Sequence, residues 1–227
     1  MVPEGETVAV MRQVLTAVQY LHDNDIIHRD IKLGNILRQR NVIKLGDFGL
    51  ACNYKTDNVR QLCGTPNFLP PEVFKERLHS TGSDIWATGC VFYTMLAGEN
   101  PFKYTSMEET KSRVCAMDYF IPHYFSYEAT AAIKLFLCEN ASERPSASEA
   151  FHLEIFGKYE RCQSSSYESD RVKLTLLHRI TCFKVRRSLY FKNYEIEQPG
   201  VEQNMEQDAL ETDQNKNSVR NVDQVKQ

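Results

Sequence analysis

A mainly α-helical domain carrying a small β-hairpin island is the fold class this sequence predicts, and three observations predict it. Apolar residues recur at helical spacing up to Leu21. Short apolar stretches broken by polar turns follow between Ile26 and Leu45. A segment apolar on nearly every side then runs from Ser83 to Ala97.

Val8, Met11, Leu15, Val18 and Leu21 are spaced three and four apart, which places them on one buried face of a first helix. Ile26-Ile27, Ile36-Leu37 and Val42 to Leu45 are too short for helices and read as strands. The last two form a hairpin with its turn at Arg38 to Asn41. The all-round apolar character of Ser83 to Ala97 predicts a helix buried in the middle of the domain. Two further helices are expected, from Ser126 to Leu137 and from Ala147 onward. The second opens with the capping-box spacing of Ser146 and Glu149.

The chain has 227 residues, 42% apolar and 25% charged, which are the proportions of an ordinary globular protein. Collagen-like, wholly disordered and membrane-spanning chains are excluded, and no run reaches the roughly 18 unbroken apolar residues of a membrane helix. Met1 to Glu6 do not have the basic-then-apolar pattern of a signal peptide. A net charge of −3 gives no reason to expect nucleic acid or an anionic membrane as partner. Seven cysteines, an odd number with no Cys-x-x-Cys pair, argue against a zinc site or a disulfide framework and for a reducing cytoplasmic or nuclear setting. Most read as small buried hydrophobes, with Cys63 the exception on a mobile loop.

Charge divides the chain into three. Residues 1–157 hold 15 Lys+Arg against 19 Asp+Glu, residues 158–194 hold 9 against 3, and residues 195–227 hold 3 against 8. The first part is the expected globular domain. The second is a basic linker or tail segment that includes Ser164-Ser165-Ser166. The third, acidic and rich in Gln and Asn with no aromatic after Tyr194, is expected to be disordered, because it cannot bury enough apolar surface to offset ordering entropy.

Chemistry concentrates between the first two long helices. The sequence reads His28-Arg29-Asp30-Ile31-Lys32-Leu33-Gly34-Asn35 and, after the hairpin, Asp47-Phe48-Gly49. Phosphoryl transfer needs a carboxylate to orient an attacking hydroxyl, oxygen ligands to hold magnesium on the phosphates, and a cation to offset developing charge. Asp30, Asn35, Asp47 and Lys32 are the right types. One tight loop after a strand brings Asp30, Lys32 and Asn35 toward a point, and the hairpin returns the chain so that Asp47 can face Asn35. Either tripeptide alone recurs by chance, as turn carboxylates and a core histidine. Both in this order and at this separation do not.

This pair of motifs resembles the catalytic and metal loops of protein kinases. Downstream, Gly64-Thr65-Pro66 and Pro71-Glu72 close a stretch of 26 residues from Asp47 to Glu72, the length of a kinase activation segment, and Asp84 and Arg144-Pro145 follow. The resemblance covers roughly residues 6–157 and implies a kinase carboxy-terminal lobe, of α+β type. It implies Asp30 as base, Lys32 on the transferred phosphoryl group, and Asn35 with Asp47 on magnesium. Leu37 would lie beneath the adenine of ATP, and Thr65 would line the hydroxyl site of a serine/threonine enzyme. It further implies that Glu72 pairs with Arg144, that Asp84 holds the backbone of the catalytic loop, and that Arg29 receives an activating phosphate. Lys32-Leu33-Gly34-Asn35 with Leu62 to Phe68, and Gly89 to Gly98, are similar to polo-like kinases, whereas Leu69-Pro70-Pro71-Glu72 resembles the Aurora kinases. Protein substrates with Ser/Thr acceptors are implied, and, by resemblance alone, a centrosome or spindle location.

Two features depart from the pattern. Gln61 stands where polo-like kinases carry the activating phosphothreonine, so either Thr56 substitutes or the segment is ordered without phosphate. No Gly-x-Gly-x-x-Gly loop and no strand lysine occur, so the chain is expected to lack the amino-terminal lobe, which a preceding segment or a partner would supply. The alternative reading is a catalytically inactive lobe that binds partners, or a truncated gene product. A phosphopeptide-binding polo box within Val172 to Phe191 is not expected, since too few residues remain for its sheet.

Overall fold

A computed structural model describes residues 1–103 and 106–160. The linker at Ser164 to Ser166, the rest of the basic segment, the acidic end, Cys162 and Cys182 lie outside the described residues.

Helix α1 (Glu4–Asp23) begins after Pro3, with Glu4 and Glu6 in its first turn, where carboxylates meet the positive end of the helix dipole. The five residues singled out by their spacing are all buried. Strand β1 (Ile26–Ile27) follows, then the loop to Asn35, then β2 (Ile36–Gln39) and β3 (Val42–Leu45). The hairpin is tighter than predicted. Arg38 and Gln39 belong to β2, opposite Ile43 and Val42, and the turn is Arg40-Asn41 with Arg40 at φ 56. Their polar side chains have partners on the surface, Arg38 on Glu6 and Gln39 on Lys44, so polarity does not end the strand. A fourth strand the sequence did not announce, β4 (Cys52–Asn53), pairs antiparallel with β1.

Helix α2 (Pro71–Glu76) leads to α3 (Thr81–Ala97), the central helix, which packs on α1 and on α5 (Tyr127–Phe136). Ser80 and Ser83 cap the start of α3 reciprocally, and Gly98, at φ 84, ends it in the left-handed conformation that favours glycine. Gly89 sits where α3 meets α5; a Cβ there would lie 2.6 Å from that of Phe136, so the two backbones approach only because it is absent. Between these helices, α4 (Met107–Cys115) buries only Thr110 and Val114. That is too sparse a stripe to be seen as periodicity, although Ser106, whose hydroxyl accepts from the Glu109 N–H, has N-cap spacing.

The helix expected from Ala147 starts with its capping box but lasts one turn, as α6 (Ala147–Ala150), and α7 (Glu154–Glu160) follows after a bend. A straight helix would carry Ile155 and Phe156 away from the face of Ala147 and Ala150. The bend turns both inward, and both are fully buried. Among the described residues no helix is long and apolar enough to cross a membrane. Cys52 and Cys90 are buried, but Cys63, Cys115 and Cys138 are only half-buried, fewer buried thiols than expected.

Arg144 ties the lower half of the molecule together. Its side chain is fully buried over the Trp86 ring, Nη1 and Nη2 reach the two Glu72 carboxylate oxygens at 2.8 and 2.9 Å, and its remaining donors go to the carbonyls of Cys138, Glu139 and Gly82. Ser83 donates to the same carboxylate at 3.1 Å. Arg144→Met leaves Glu72 buried and uncompensated and is expected to cost about 3–5 kcal/mol. The lower urea midpoint of the variant measures it, and Arg144→Lys, which keeps charge without the two-pronged geometry, falls between.

Candidate active site

The loop between β1 and β2 has almost no regular structure of its own and is held from outside. Asp84, 1% exposed at the start of α3, accepts the backbone N–H of His28 at 2.8 Å on Oδ2 and that of Arg29 at 3.0 Å on Oδ1. Its Oδ2 also meets His22 Nε2 at 3.0 Å, a partner on α1 that the sequence did not single out. Burial opposes the charge on Asp84, but His22 and His28 outweigh it and hold the carboxyl below its ordinary value. His28 is fully buried. Its Nδ1 accepts the Asp30 N–H, so its proton sits on Nε2 and is donated to the Gly46 carbonyl at 3.0 Å. The ring also contacts Phe48, 5.0 Å between centroids. His28 thus ties the loop to the residue preceding Asp47.

Asp30, 8% exposed, is the hub. Its Oδ1 accepts from the Thr65 hydroxyl at 2.7 Å and the Thr65 N–H at 3.1 Å; its Oδ2 accepts from Lys32 Nζ at 2.8 Å and Asn35 Nδ2 at 3.1 Å. Lys32 Nζ also donates to Thr65 Oγ1 at 2.8 Å, closing a triangle. Burial pushes the Asp30 carboxyl up, yet the bonds from Lys32 and Thr65 outweigh it and the carboxyl lies below its ordinary value. Asp30 is therefore an ionised acceptor at neutral pH. The four residues Asp30, Lys32, Asn35 and Thr65 come together although Thr65 is 35 residues from Asp30.

Gly64 allows this closure. At φ 102, it passes so near the catalytic loop that a Cβ would lie 2.6 Å from the Arg29 carbonyl oxygen. Cys63 beside it is half-buried, with its sulfur 3.6 Å from His79 Nε2.

Asn35 directs its amide nitrogen to Asp30, both to the carboxylate and, at 2.8 Å, to the backbone carbonyl, so its Oδ1 is the atom left for a cation. The Gly46 N–H donates to the Asn35 carbonyl at 2.8 Å, which brings Asp47 next to Asn35 along the chain path. Asp47 is exposed, at φ 58, and its one close bond is a long one from the Gly49 N–H, 3.4 Å. One amide and one carboxylate oxygen fit a hard divalent cation whose shell is completed by phosphate and water. Among the described residues no cluster of three or more His, Cys, Asp and Glu side chains forms a closed metal cage. Leu37, on β2, is 57% exposed beside Gly46. Gln61 is exposed, and Arg29, at φ 66, donates through Nε to the Leu50 carbonyl.

A helical domain whose central helix anchors such a loop, with an acidic hub closed by a lysine and a threonine, has the layout of a phosphoryl-transfer enzyme of one well-marked class. The chain belongs to the protein kinase family: the family model described as "Protein kinase domain" matches residues 1–156. The resemblance to polo-like kinases is borne out as well. The chain is 38% identical over 179 residues to serine/threonine-protein kinase PLK1 of Xenopus laevis, covering 78% of this chain and 29% of that one. It is 40% identical over 146 residues to serine/threonine-protein kinase polo of Drosophila melanogaster, covering 63% and 25%. With serine/threonine-protein kinase plk-1 of Caenorhabditis elegans it shares 43% over 150 residues, 65% and 23%. The chain thus spans less than a third of the length of these relatives.

Asp30 and Asp84 both have native values below the ordinary 3.8. Their contribution to stability is complete above that value and is lost as pH falls from there through the lower native values. Acid titration of Tm is expected to show this loss. Asp84→Asn, which sets an NH2 against backbone donors, should cost about 1–3 kcal/mol for each donor left unpaired, read as a lower Tm at neutral pH and a shallower acid slope.

Proposed function

We propose that this chain carries the catalytic and metal loops of a polo-like serine/threonine kinase that transfers the γ-phosphate of ATP to Ser or Thr of protein substrates. The observation that carries the reading is the closed arrangement of Asp30, Lys32 and Thr65, with every pair within 2.8 Å. An acceptor hydroxyl entering this triangle meets an ionised carboxylate that orients it and accepts its proton. Lys32, already within reach of both partners, offsets the negative charge that develops on the transferred group. Asn35 Oδ1 and the Asp47 carboxylate would hold magnesium, which would shield the phosphate charge. Leu37 offers an exposed apolar surface beneath the adenine.

The triangle is the half of a kinase site that handles the acceptor. The phosphates also need a clamp from above, and the sequence given holds no Gly-x-Gly-x-x-Gly. A preceding segment or a partner chain would supply that part. Protein substrates with Ser or Thr acceptors, and a role at centrosome or spindle, are part of this proposal and rest on the family resemblance alone.

Gln61 removes the phosphoacceptor that Arg29 would receive, and Thr56 does not replace it. The Thr56 hydroxyl donates to Asp57, whose carboxylate also closes the turn at Asn53, so a phosphate there would face a like charge. We read the segment as free of that switch.

Asp30→Asn in a form of the protein that includes a glycine-rich clamp is expected to lower kcat about 10²–10⁴-fold with ATP affinity kept, measured by transfer of labelled phosphate to a Ser/Thr peptide. An unchanged kcat would end the assignment of Asp30. Residues 1–227 alone are expected to show little magnesium-dependent ATP binding in calorimetry, and micromolar binding would show that the clamp is not needed.

A further inference from the structure

The stretch from Asp47 to Glu72 is fastened at both ends. At its start the Leu50 carbonyl is held by Arg29, β4 pairs with β1, and Asp25 accepts from the Tyr54 hydroxyl and Lys55 Nζ. At its end Thr65 is held by Asp30, and Glu72 by Arg144. The middle, residues 58–63, is the part a phosphate at position 61 would tie down. Gln61 is exposed there, and Arg29 Nη1 is buried without a hydrogen-bond partner among the described residues.

A different set of contacts holds the middle. Arg60 forms an isolated antiparallel bridge with Leu78, and the next backbone N–H, that of His79, donates to the Val59 carbonyl at 3.0 Å. His79 is 3% exposed, and its Nε2 lies 3.6 Å from the Cys63 sulfur. The same side chain lines a small cavity with Arg29, Asp30, Thr65 and Asp84. One residue therefore touches the segment on both sides of Gln61, through its backbone at 59 and its ring at 63, while its ring backs onto the catalytic loop.

We propose that His79 is a positioning residue that holds the activation segment against the catalytic loop without a phosphate, clamping residues 59–63 from both sides of Gln61. This rests on the reading of Asp47 to Glu72 as the activation segment of the proposed kinase. The clamp works with a neutral ring. Charged and titratable groups reach His79 from every side: Arg29 from the catalytic loop, Cys63 from the segment, Glu72 from α2 and Asp84 from α3, with the Gln61 backbone nearby. Burial first, then the Arg29 cation, hold His79 below the ordinary histidine value of 6.5. Opening the segment lets the ring take up a proton, so the closed form loses stability as pH falls through that ordinary value.

Hydrogen exchange by mass spectrometry on the full chain tests this, with α1 peptides as the internal control. After phosphatase treatment, peptides spanning 58–64 are expected to stay as protected as before, and to lose protection, corrected for intrinsic rates, as pH falls through 6.5. His79→Ala is expected to speed exchange in 58–64 about tenfold at neutral pH with α1 unchanged. His79→Gln, whose terminal amide can reach Cys63, restores protection and removes the acid dependence. Both variants keep the backbone N–H, so their difference isolates the side-chain contact with Cys63. Should His79→Ala unfold the whole chain, Cys63→Ala decides, with faster exchange in 58–64 expected. Loss of protection on phosphatase treatment overturns the proposal, as does unchanged exchange in His79→Ala or, failing that variant, in Cys63→Ala. Exchange does not depend on turnover, so a protected segment in an inactive protein counts against the kinase reading alone.

Discussion

The buried carboxylate of Asp84 is the constraint on which the rest of this structure depends. A loop that presents several polar heads to one point cannot also satisfy its own backbone, and the N–H groups of His28 and Arg29 would be orphaned beneath the site. Asp84 takes both, and takes His22 of α1 as well. The loop is fixed to two helices at once, and those helices supply many of the buried residues of the core. Rigidity made by burying Trp86, Phe92 and their neighbours is thus passed to the polar residues of the loop. Positive φ at Arg29 is tolerated for the same reason: the backbone there is over-determined by its neighbours.

A second lesson lies in how little of the site is regular structure. Asp30, Lys32, Asn35, Asp47 and Thr65 sit on loops or on one short 3₁₀ turn, and four of them, all but Asp47, are held by hydrogen bonds to one another. Helices supply the frame, but polar contacts over long sequence separations set the geometry. Such contacts are cooperative, because Asp30 joins four donors and the loss of any one changes what the others can do.

The sequence made the frame legible where burial has a period. Val8 to Leu21 is marked by apolar spacing, and Ser83 to Ala97 by apolar character on nearly every side. It failed where the period was short or absent: α2 has six residues, α4 buries two, and β4 has two residues whose strand character comes only from pairing with β1. The bend after Ala150 was missed because capping chemistry announces where a helix starts and not where the core will need it to stop. For the site, residue types and motif order sufficed to collect Asp30, Lys32, Asn35 and Asp47, whereas Thr65 came only from the resemblance to serine/threonine kinases. His22 and His79 were missed because neither belongs to a motif; each matters for what stands opposite it in space.

The two fastenings of the segment, at Asn53-Asp57 and at Gly64-Thr65, also set a length. From Asp57 to Gly64 the chain takes seven residue steps, whose fully extended reach is at most about 25 Å. Even with its middle released, this span cannot swing away from the face of the domain; it can only bow outward from two fixed posts. The molecule has in that stretch a tether of set length, and whatever approaches Thr65 does so within its arc.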